Sequence, residues 1–328
     1  MTSPATVSVV IPCYNSQAWI AETLRSVIDQ QDVSLQIVVV DDGSTDDSVG
    51  VAREAGGNAI EIIQQPNAGV SAARNTGTAA ARGEFIQYLD ADDLLTPGTL
   101  QARVSALTET GTDVAYTDWT RWERQSDGSF AEGGTISRTL GPRPDVDLLT
   151  DFWWPPGALL YRRSLVDRIG PWKEWLPVIQ DARFLLDAAL CDGAFVYVHG
   201  VGMKYRVHGA NSLSRRDGRA FLHDIYANAS ELQRAWEQVA ELDPARRQAL
   251  VKVYAQLARA YFPLDRARFH LMVGHLRHLD PTFVPEKPAG LRALSRLVGY
   301  PAAEHLASWW RGLKGAAQSL GSSRTSTT

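Results

Sequence analysis

Short apolar runs alternate with amphipathic stretches along the first hundred or so residues. Val7-Ser8-Val9-Val10-Ile11, closed by Pro12, predicts a buried parallel strand. From Ser16 to Gln30, Trp19, Ile20, Leu24, Val27 and Ile28 share one face at a 3.6-residue period, which predicts a helix. Ile37 to Val40 reads as a second buried strand, running into Asp41-Asp42-Gly43-Ser44, with Asp46 placed to cap a short helix through Ala55. Ile60 to Ile63 gives a third strand, and the alanine-rich Ser71 to Ala81 a third helix. Phe85 to Leu89 is a fourth strand, ending in Asp90-Ala91-Asp92-Asp93. Pro97 suits the first turn of a helix that ends near Leu107, and Asp113 to Tyr116 reads as a further strand. Repeated strand–helix–strand units imply an α/β fold with a mainly parallel sheet flanked by helices. Such sheets bind ligands beyond the carboxyl ends of their strands, where both acidic clusters fall, so one cleft is expected to hold them.

Residues 118 to 215 are less regular and rich in Trp and Pro, with a helix from Asp181 to Leu190 and a strand from Ala194 to Val198. From about Gly218 the pattern is purely helical: Leu232, Trp236 and Val239, then Leu250, Val253, Tyr254 and Leu257, recur at helical spacing. Pro244, Pro263 and Pro281 punctuate these helices. The expected division is therefore 1–216 as the α/β domain, 217–318 as an α-helical C-terminal extension, and 319–328 as a small, polar, disordered tail.

Composition narrows the class. With 45% hydrophobic residues the chain can bury a sizeable core, and a formal net charge of −4 offers no basic surface for nucleic acid. Two cysteines, Cys13 and Cys191, make neither a disulfide framework nor a zinc site, which suits a reducing cytoplasm. The first strand begins at Val7, leaving no room for a signal peptide, and no apolar run reaches the length of a membrane span. The expected location is cytoplasmic, with the inner face of the membrane as the one alternative.

The sharpest chemical signal is Asp90-Ala91-Asp92, with Asp93 beside it. Two carboxylates separated by one residue at a strand end can turn toward one hard cation, Mg²⁺ or Mn²⁺, that bridges them to substrate phosphates. Turn and cap chemistry explains acids in such places too, and accounts for Asp46 better than for the consecutive Asp41 and Asp42.

Four blocks carry a resemblance: Val9 to Asn15 (Val-Val-Ile-Pro-Cys-Tyr-Asn), Val40 to Asp46, Asn67-Ala68-Gly69 with Ala73-Arg74-Asn75-Thr76-Gly77, and Tyr88 to Asp93. Their order and spacing resemble the family 2 glycosyltransferases of the GT-A fold over roughly the first 110 residues. The resemblance implies that 1–117 is the nucleotide-sugar half and 118–216 the acceptor half. It implies that Pro12 and Tyr14 wall the base, that Asp42 with Asp41 holds the uracil edge, and that Asn67, Gly69, Arg74 and Asp90 line the nucleotide side. Asp90 and Asp92 would hold the metal–diphosphate, Asp92 being the direct ligand. Plain structural roles remain open for Pro12 as a strand end and for Arg74 and Asn75 as helix-surface residues.

The second half matches more loosely. The family's acidic pair appears as Gln180-Asp181, and Asp181 is the candidate catalytic base, with helix capping as its other reading. Trp153-Trp154-Pro155-Pro156-Gly157 resembles the acceptor-side segment, where paired indoles either stack on a sugar or fill a core. Tyr205-Arg206-Val207-His208 resembles the segment after the last strand of the domain, implying His208 in the metal shell and Arg206 beside the diphosphate.

The expected activity is inverting, metal-dependent and non-processive transfer from a nucleotide-diphospho-sugar, UDP-linked by family tendency, to a carbohydrate or lipid-linked glycan. The alternative is a catalytically silent relative that binds a nucleotide sugar or glycan. A nucleotidyltransferase would need a glycine-rich basic loop where Cys13-Tyr14-Asn15-Ser16 stands, and a dinucleotide dehydrogenase a G-x-G-x-x-G string. Gln233-Arg234-Ala235-Trp236 lacks the spacing of a processive synthase. Leu291 to Leu313 carries Leu294, Leu297, Val298, Trp309 and Trp310 beside Arg292, Arg296 and Arg311, with Lys314 just beyond. It reads either as core packing or as a peripheral membrane contact.

Overall fold

The structure is a computed structural model that describes residues 6–207 and 218–310. Four parallel strands, β1 (Thr6–Cys13), β2 (Ser34–Asp41), β3 (Ile60–Gln64) and β4 (Phe85–Tyr88), are linked by helices α1 (Ile20–Ile28), α2 (Ser48–Gly56) and α3 (Val70–Ala80). Val7, Val9, Val10 and Ile11 are all fully buried, as a strand covered on both faces requires. Small residues let α3 lie close to the sheet. Ala73 packs on Val38 and Val40, and a methyl group at Gly77 would sit 2.3 Å from Val10 Cγ1.

The sheet continues through mixed pairings. β8 (Leu159–Arg162) runs antiparallel between β4 and β6 (Val114–Arg124), and β6 is parallel to β9 (Phe195–Val207). The two-residue β5 (Leu94–Leu95) pairs with β9, and β7 (Phe130–Ile136) forms a hairpin with β6. The spatial order is β3–β2–β1–β4–β8–β6–β9–β5, with β7 on β6. Helices α4 (Thr99–Thr110), α5 (Pro144–Thr150), α6 (Arg163–Ile169) and α7 (Gln180–Leu190) complete the α/β layer.

Three helix starts differ from the sequence reading. Pro97 lies outside α4, because Gly98 takes a left-handed φ of 73° and the helix opens only at Thr99. Asp46 precedes the cap position of α2 by one residue, yet its Oδ1 accepts the Ser48 amide at 3.0 Å. Asp181 does not cap α7; Ile179 holds that position, and Asp181 falls in the first turn.

The chain divides into two compact units, Met1–Asp224 and Ile225–Thr328. Helices α8 (Gly218–Val239), α9 (Pro244–Tyr261), α10 (Arg266–Leu279), α11 (Ala289–Val298) and α12 (300–310) follow the sheet. Asp243 caps α9 by accepting the Ala245 and Arg246 amides, and Asp265 caps α10 through the Arg268 amide at 3.0 Å. Among the described residues no helix is long and apolar enough to cross a membrane. The expected tail at 319–328 lies outside the described residues.

Candidate functional site

Four of the resembling blocks meet at the carboxyl ends of β1, β2 and β4. The loops after β1 and β2 are tied together there. Asn15, at a left-handed φ of 49°, accepts the Thr45 amide through Oδ1 at 2.8 Å and donates its own amide to Ser44 Oγ at 3.0 Å. The Gln17 amide reaches Asp46 Oδ2 at 3.1 Å. Pro12 is buried inside the strand ladder opposite Val40, so it packs as a strand residue, while the Tyr14 ring is 50% exposed at the cleft mouth. Burial pushes the Cys13 thiol up to about 11, which leaves it protonated and inert at neutral pH.

Asp41 and Asp42 are both buried at the end of β2. Asp42 accepts Gln65 Nε2 at 2.7 Å and the Ala68 amide at 3.0 Å on Oδ1, and the Gly69 amide at 2.8 Å on Oδ2. Asn67 Nδ2 donates to the Asp42 carbonyl at 3.0 Å. Asp42, Asn67 and Gly69 therefore form one fixed loop leading into α3. Gly43 is required beneath it, since a Cβ there would sit 2.8 Å from the Asn67 nitrogen. A carboxylate offers about four acceptor sites, and three of those on Asp42 are taken by Gln65, Ala68 and Gly69.

At the end of β4, two buried arginines shape the acidic turn. Arg74, on α3, is 2% exposed, lies 4.3 Å above the Trp172 ring, and donates Nη2 to Asp90 Oδ1 at 2.6 Å. It is buried rather than a helix-surface residue, and it holds Asp90. Arg206 lies between the Trp19 and Phe130 rings, at 4.6 and 4.7 Å. Its Nη2 pairs with Glu22 at 2.6 Å, its Nε donates to the Asp92 carbonyl at 2.7 Å, and its amide donates to Asp93 Oδ1 at 2.8 Å. The guanidinium expected beside a diphosphate is thus engaged in clamping the turn that carries Asp92. Thr23 of α1 adds a hydrogen bond to the Ala91 carbonyl at 2.9 Å. Glu22 and Trp172 carry no signal in the sequence, and Trp19 only that of a helix face, since only the tertiary fold joins them to the turn.

Asp181 stands across from this turn. Its Oδ2 accepts Trp153 Nε1 at 2.8 Å, and its Oδ1 accepts the Ala182 amide at 2.8 Å. Burial raises its pKa, with Asp90 adding to the rise, while Arg74, Trp153 and the Ala182 amide oppose it. Tyr205 registers all four acids: after burial, Asp93, Asp90, Asp92 and Asp181 each push its phenol upward. Trp153 meets Trp119 and Tyr205 edge-on at 5.6 and 5.9 Å and remains partly exposed.

Trp154 and Gly157 fall on the core side. Trp154 is 1% exposed, stacks on Phe152 at 4.4 Å and donates Nε1 to the Thr117 carbonyl at 2.6 Å. A Cβ at Gly157 would meet Met203 Sδ at 2.9 Å, and its carbonyl accepts Arg103 Nη1 at 2.9 Å. Arg103, another residue with no signal in the sequence, is fully buried and bonded also to Gln87 and Thr117; burial lowers its pKa to about 9. His208 lies outside the described residues.

The donor set suits a hard cation. Asp90 and Asp92 present oxygen ligands, and Asp93 Oδ2 is a buried oxygen without a hydrogen-bond partner. Among the described residues no group of three or more His, Cys, Asp or Glu side chains is arranged to hold a metal.

The profile described as Glycosyl transferase family 2 matches residues 8–169, the span that includes the tied loops, Arg74 and the acidic turn. The chain belongs to glycosyl transferase family 2. This family 2 chain is 31% identical over 223 residues to an uncharacterized glycosyltransferase of Nostoc sp., covering 63% of this chain and 66% of that one. It is 36% identical over 123 residues to the uncharacterized glycosyltransferase YibD of Escherichia coli, covering 36% of each. It spans no more than about two thirds of these curated relatives. Among solved structures it resembles residues 1–349 of Staphylococcus aureus TarS in complex with UDP-GlcNAc, with TM-score 0.64, 19% identity and coverage of 94% and 92%. The same TarS segment in complex with UDP gives TM-score 0.61, 21% identity and the same coverage. The fold is GT-A with C-terminal helices.

Proposed function

We propose that this family 2 member is an inverting, non-processive transferase that moves a sugar from a UDP-sugar to a hydroxyl of a glycan or lipid-linked glycan. The observation that carries the reading is Asp181, a carboxyl of raised pKa oriented by an indole N–H and set beside the Asp90–Asp93 turn. UDP is favoured as the nucleotide because the fold neighbour TarS has been captured with UDP and with UDP-GlcNAc.

In this mechanism Tyr14 and the remaining acceptor site of Asp42 receive the base, against the loop of Asn67 and Gly69. Asp90 and Asp92 would hold a divalent cation, Mn²⁺ or Mg²⁺, which would supply positive charge to offset the negative charge that grows on the leaving diphosphate. Arg74 fixes Asp90, and Arg206 fixes the backbone at Asp92, so neither carboxylate has to reorganise as that charge develops. The acceptor oxygen attacks the anomeric carbon from the face opposite the diphosphate, and the carbon–oxygen bond to the diphosphate breaks with its electron pair. Asp181 takes the hydroxyl proton. A base with pKa above an ordinary carboxylate accepts that proton more readily, as long as it remains ionised at the working pH. Trp153, in contact with that base and partly exposed, offers an apolar ring face to the acceptor sugar.

Calorimetric titration of UDP with Mn²⁺ and with EDTA, repeated on Asp92→Ala, tests the donor side. UDP binding that needs the cation and is lost in the variant is the expected outcome. Metal-independent binding that Asp92→Ala leaves unchanged removes the cation from the account, and failure to bind UDP at all removes the UDP reading.

A further inference from the structure

We propose that the outer face of α11 and α12 is a docking surface for an anionic lipid bilayer. The proposal is independent of the transferase reading, since every residue it uses lies in the helical unit.

On α11, Leu291 and Ser295 face inward. Leu294, Leu297 and Val298, at spacings i, i+3 and i+4, line a stripe beside them, and Leu297 is 83% exposed. On α12, Ala303 and Glu304 are buried, and Leu306, Trp309 and Trp310 repeat the i, i+3, i+4 pattern outward. Trp309 and Trp310 are 65% and 56% exposed. Isolated exposed apolar residues need no explanation, but Leu297, Val298, Leu306, Trp309 and Trp310 are five exposed large apolar residues on two consecutive helices. Tryptophan favours the boundary between headgroups and acyl chains, where its ring is apolar and its N–H is wet.

Charge selects the occupant. Arg292 and Arg296 are exposed on α11, which contains no acid, and the one acid of α12, Glu304, is buried. The outward charge of the pair is therefore positive, on a chain whose net charge is −4. In the sequence beyond, Arg311, Lys314 and Arg324 follow without a single acid. A symmetric contact with a second copy would bring the same arginines together. A surface carrying anionic headgroups pairs with them while the tryptophans enter the interface.

The test is flotation of the full chain with phosphatidylcholine vesicles, with and without phosphatidylglycerol, alongside sedimentation velocity without lipid. Binding to the phosphatidylglycerol vesicles that weakens with salt, with a blue shift of tryptophan emission, is expected. Trp309→Ser with Trp310→Ser should weaken it at least tenfold, and Arg292→Gln or Arg296→Gln about fivefold each. Unchanged circular dichroism of each variant separates this loss from misfolding. No binding to anionic vesicles overturns the proposal, as does a lipid-free dimer that the tryptophan variant dissociates. Binding that the tryptophan variant retains in full overturns it as well.

Discussion

The hydrogen bond from the Trp153 indole to Asp181 sets the candidate base in both position and acidity. By donating to the ionised carboxylate, the indole favours that form and holds the pKa below the value burial alone would give. Trp153→Phe keeps a ring and removes the donor. The base then ionises only at higher pH, so the acidic limb of the kcat profile should move up by about one pH unit, since a hydrogen bond to a charged group contributes about 1.5 kcal/mol. UDP affinity should be unaffected, because the indole is assigned to the acceptor side; a pH–rate profile with a parallel UDP titration checks both. A second prediction concerns Cys13. Its buried thiol, with pKa raised to about 11, should resist iodoacetamide in the native protein at pH 8 and react once unfolded, as mass spectrometry of the labelled chain would reveal.

At the scale of elements, small residues let α3, which carries Arg74 and follows the Asn67–Gly69 loop, pack closely on the sheet. Gly77→Ala puts a methyl group 2.3 Å from Val10 Cγ1 and 3.2 Å from Val40 Cγ2, so α3 must shift. Overpacking of this kind costs about 1–3 kcal/mol, and chemical denaturation should show the loss. Because Gly69, Arg74 and Gly77 share this segment, UDP binding should weaken as well. The same elements explain what was legible in the sequence. β1, β2 and β4 are mainly apolar, with Ser8, Gln36 and Gln87 as polar members, and their burial on both faces writes them plainly into the chain. β8 is four residues long, β5 only two, and β7 carries Gly133 and Gly134, so none has a run long enough to stand out. The motif residues were readable as a set, but the partners that orient them were not. Arg74 sits in an alanine-rich helix whose neighbours look like surface, and only the tertiary fold reveals Trp172 above it. Arg206 meets Glu22 across 184 positions, a contact that no local pattern encodes. Trp154 and Trp153 are adjacent and alike, yet in the irregular segment before β8 one turns to the Thr117 carbonyl and the other to Asp181.

For the molecule as a whole, ligand binding and stability are linked. UDP with Mn²⁺ at a hundred times its Kd should stabilise the native chain by about 2.7 kcal/mol, seen as a rise in Tm that EDTA reverses. Mn²⁺ alone should give a much smaller rise, because the protein supplies few of the ligands and the diphosphate the rest. Equal rises with and without UDP would contradict a site built around a metal–diphosphate. The central claim is that Asp181 acts as the base of a glycosyl transfer, and the most direct test is UDP release from a panel of UDP-sugars by wild type and Asp181→Asn. At least one UDP-sugar should be turned over by the wild type in the presence of Mn²⁺, and the variant should lose about 10²–10⁴-fold in kcat while binding UDP with unchanged affinity. Undiminished turnover by Asp181→Asn, or UDP binding without turnover of any sugar in the wild type, would contradict the account.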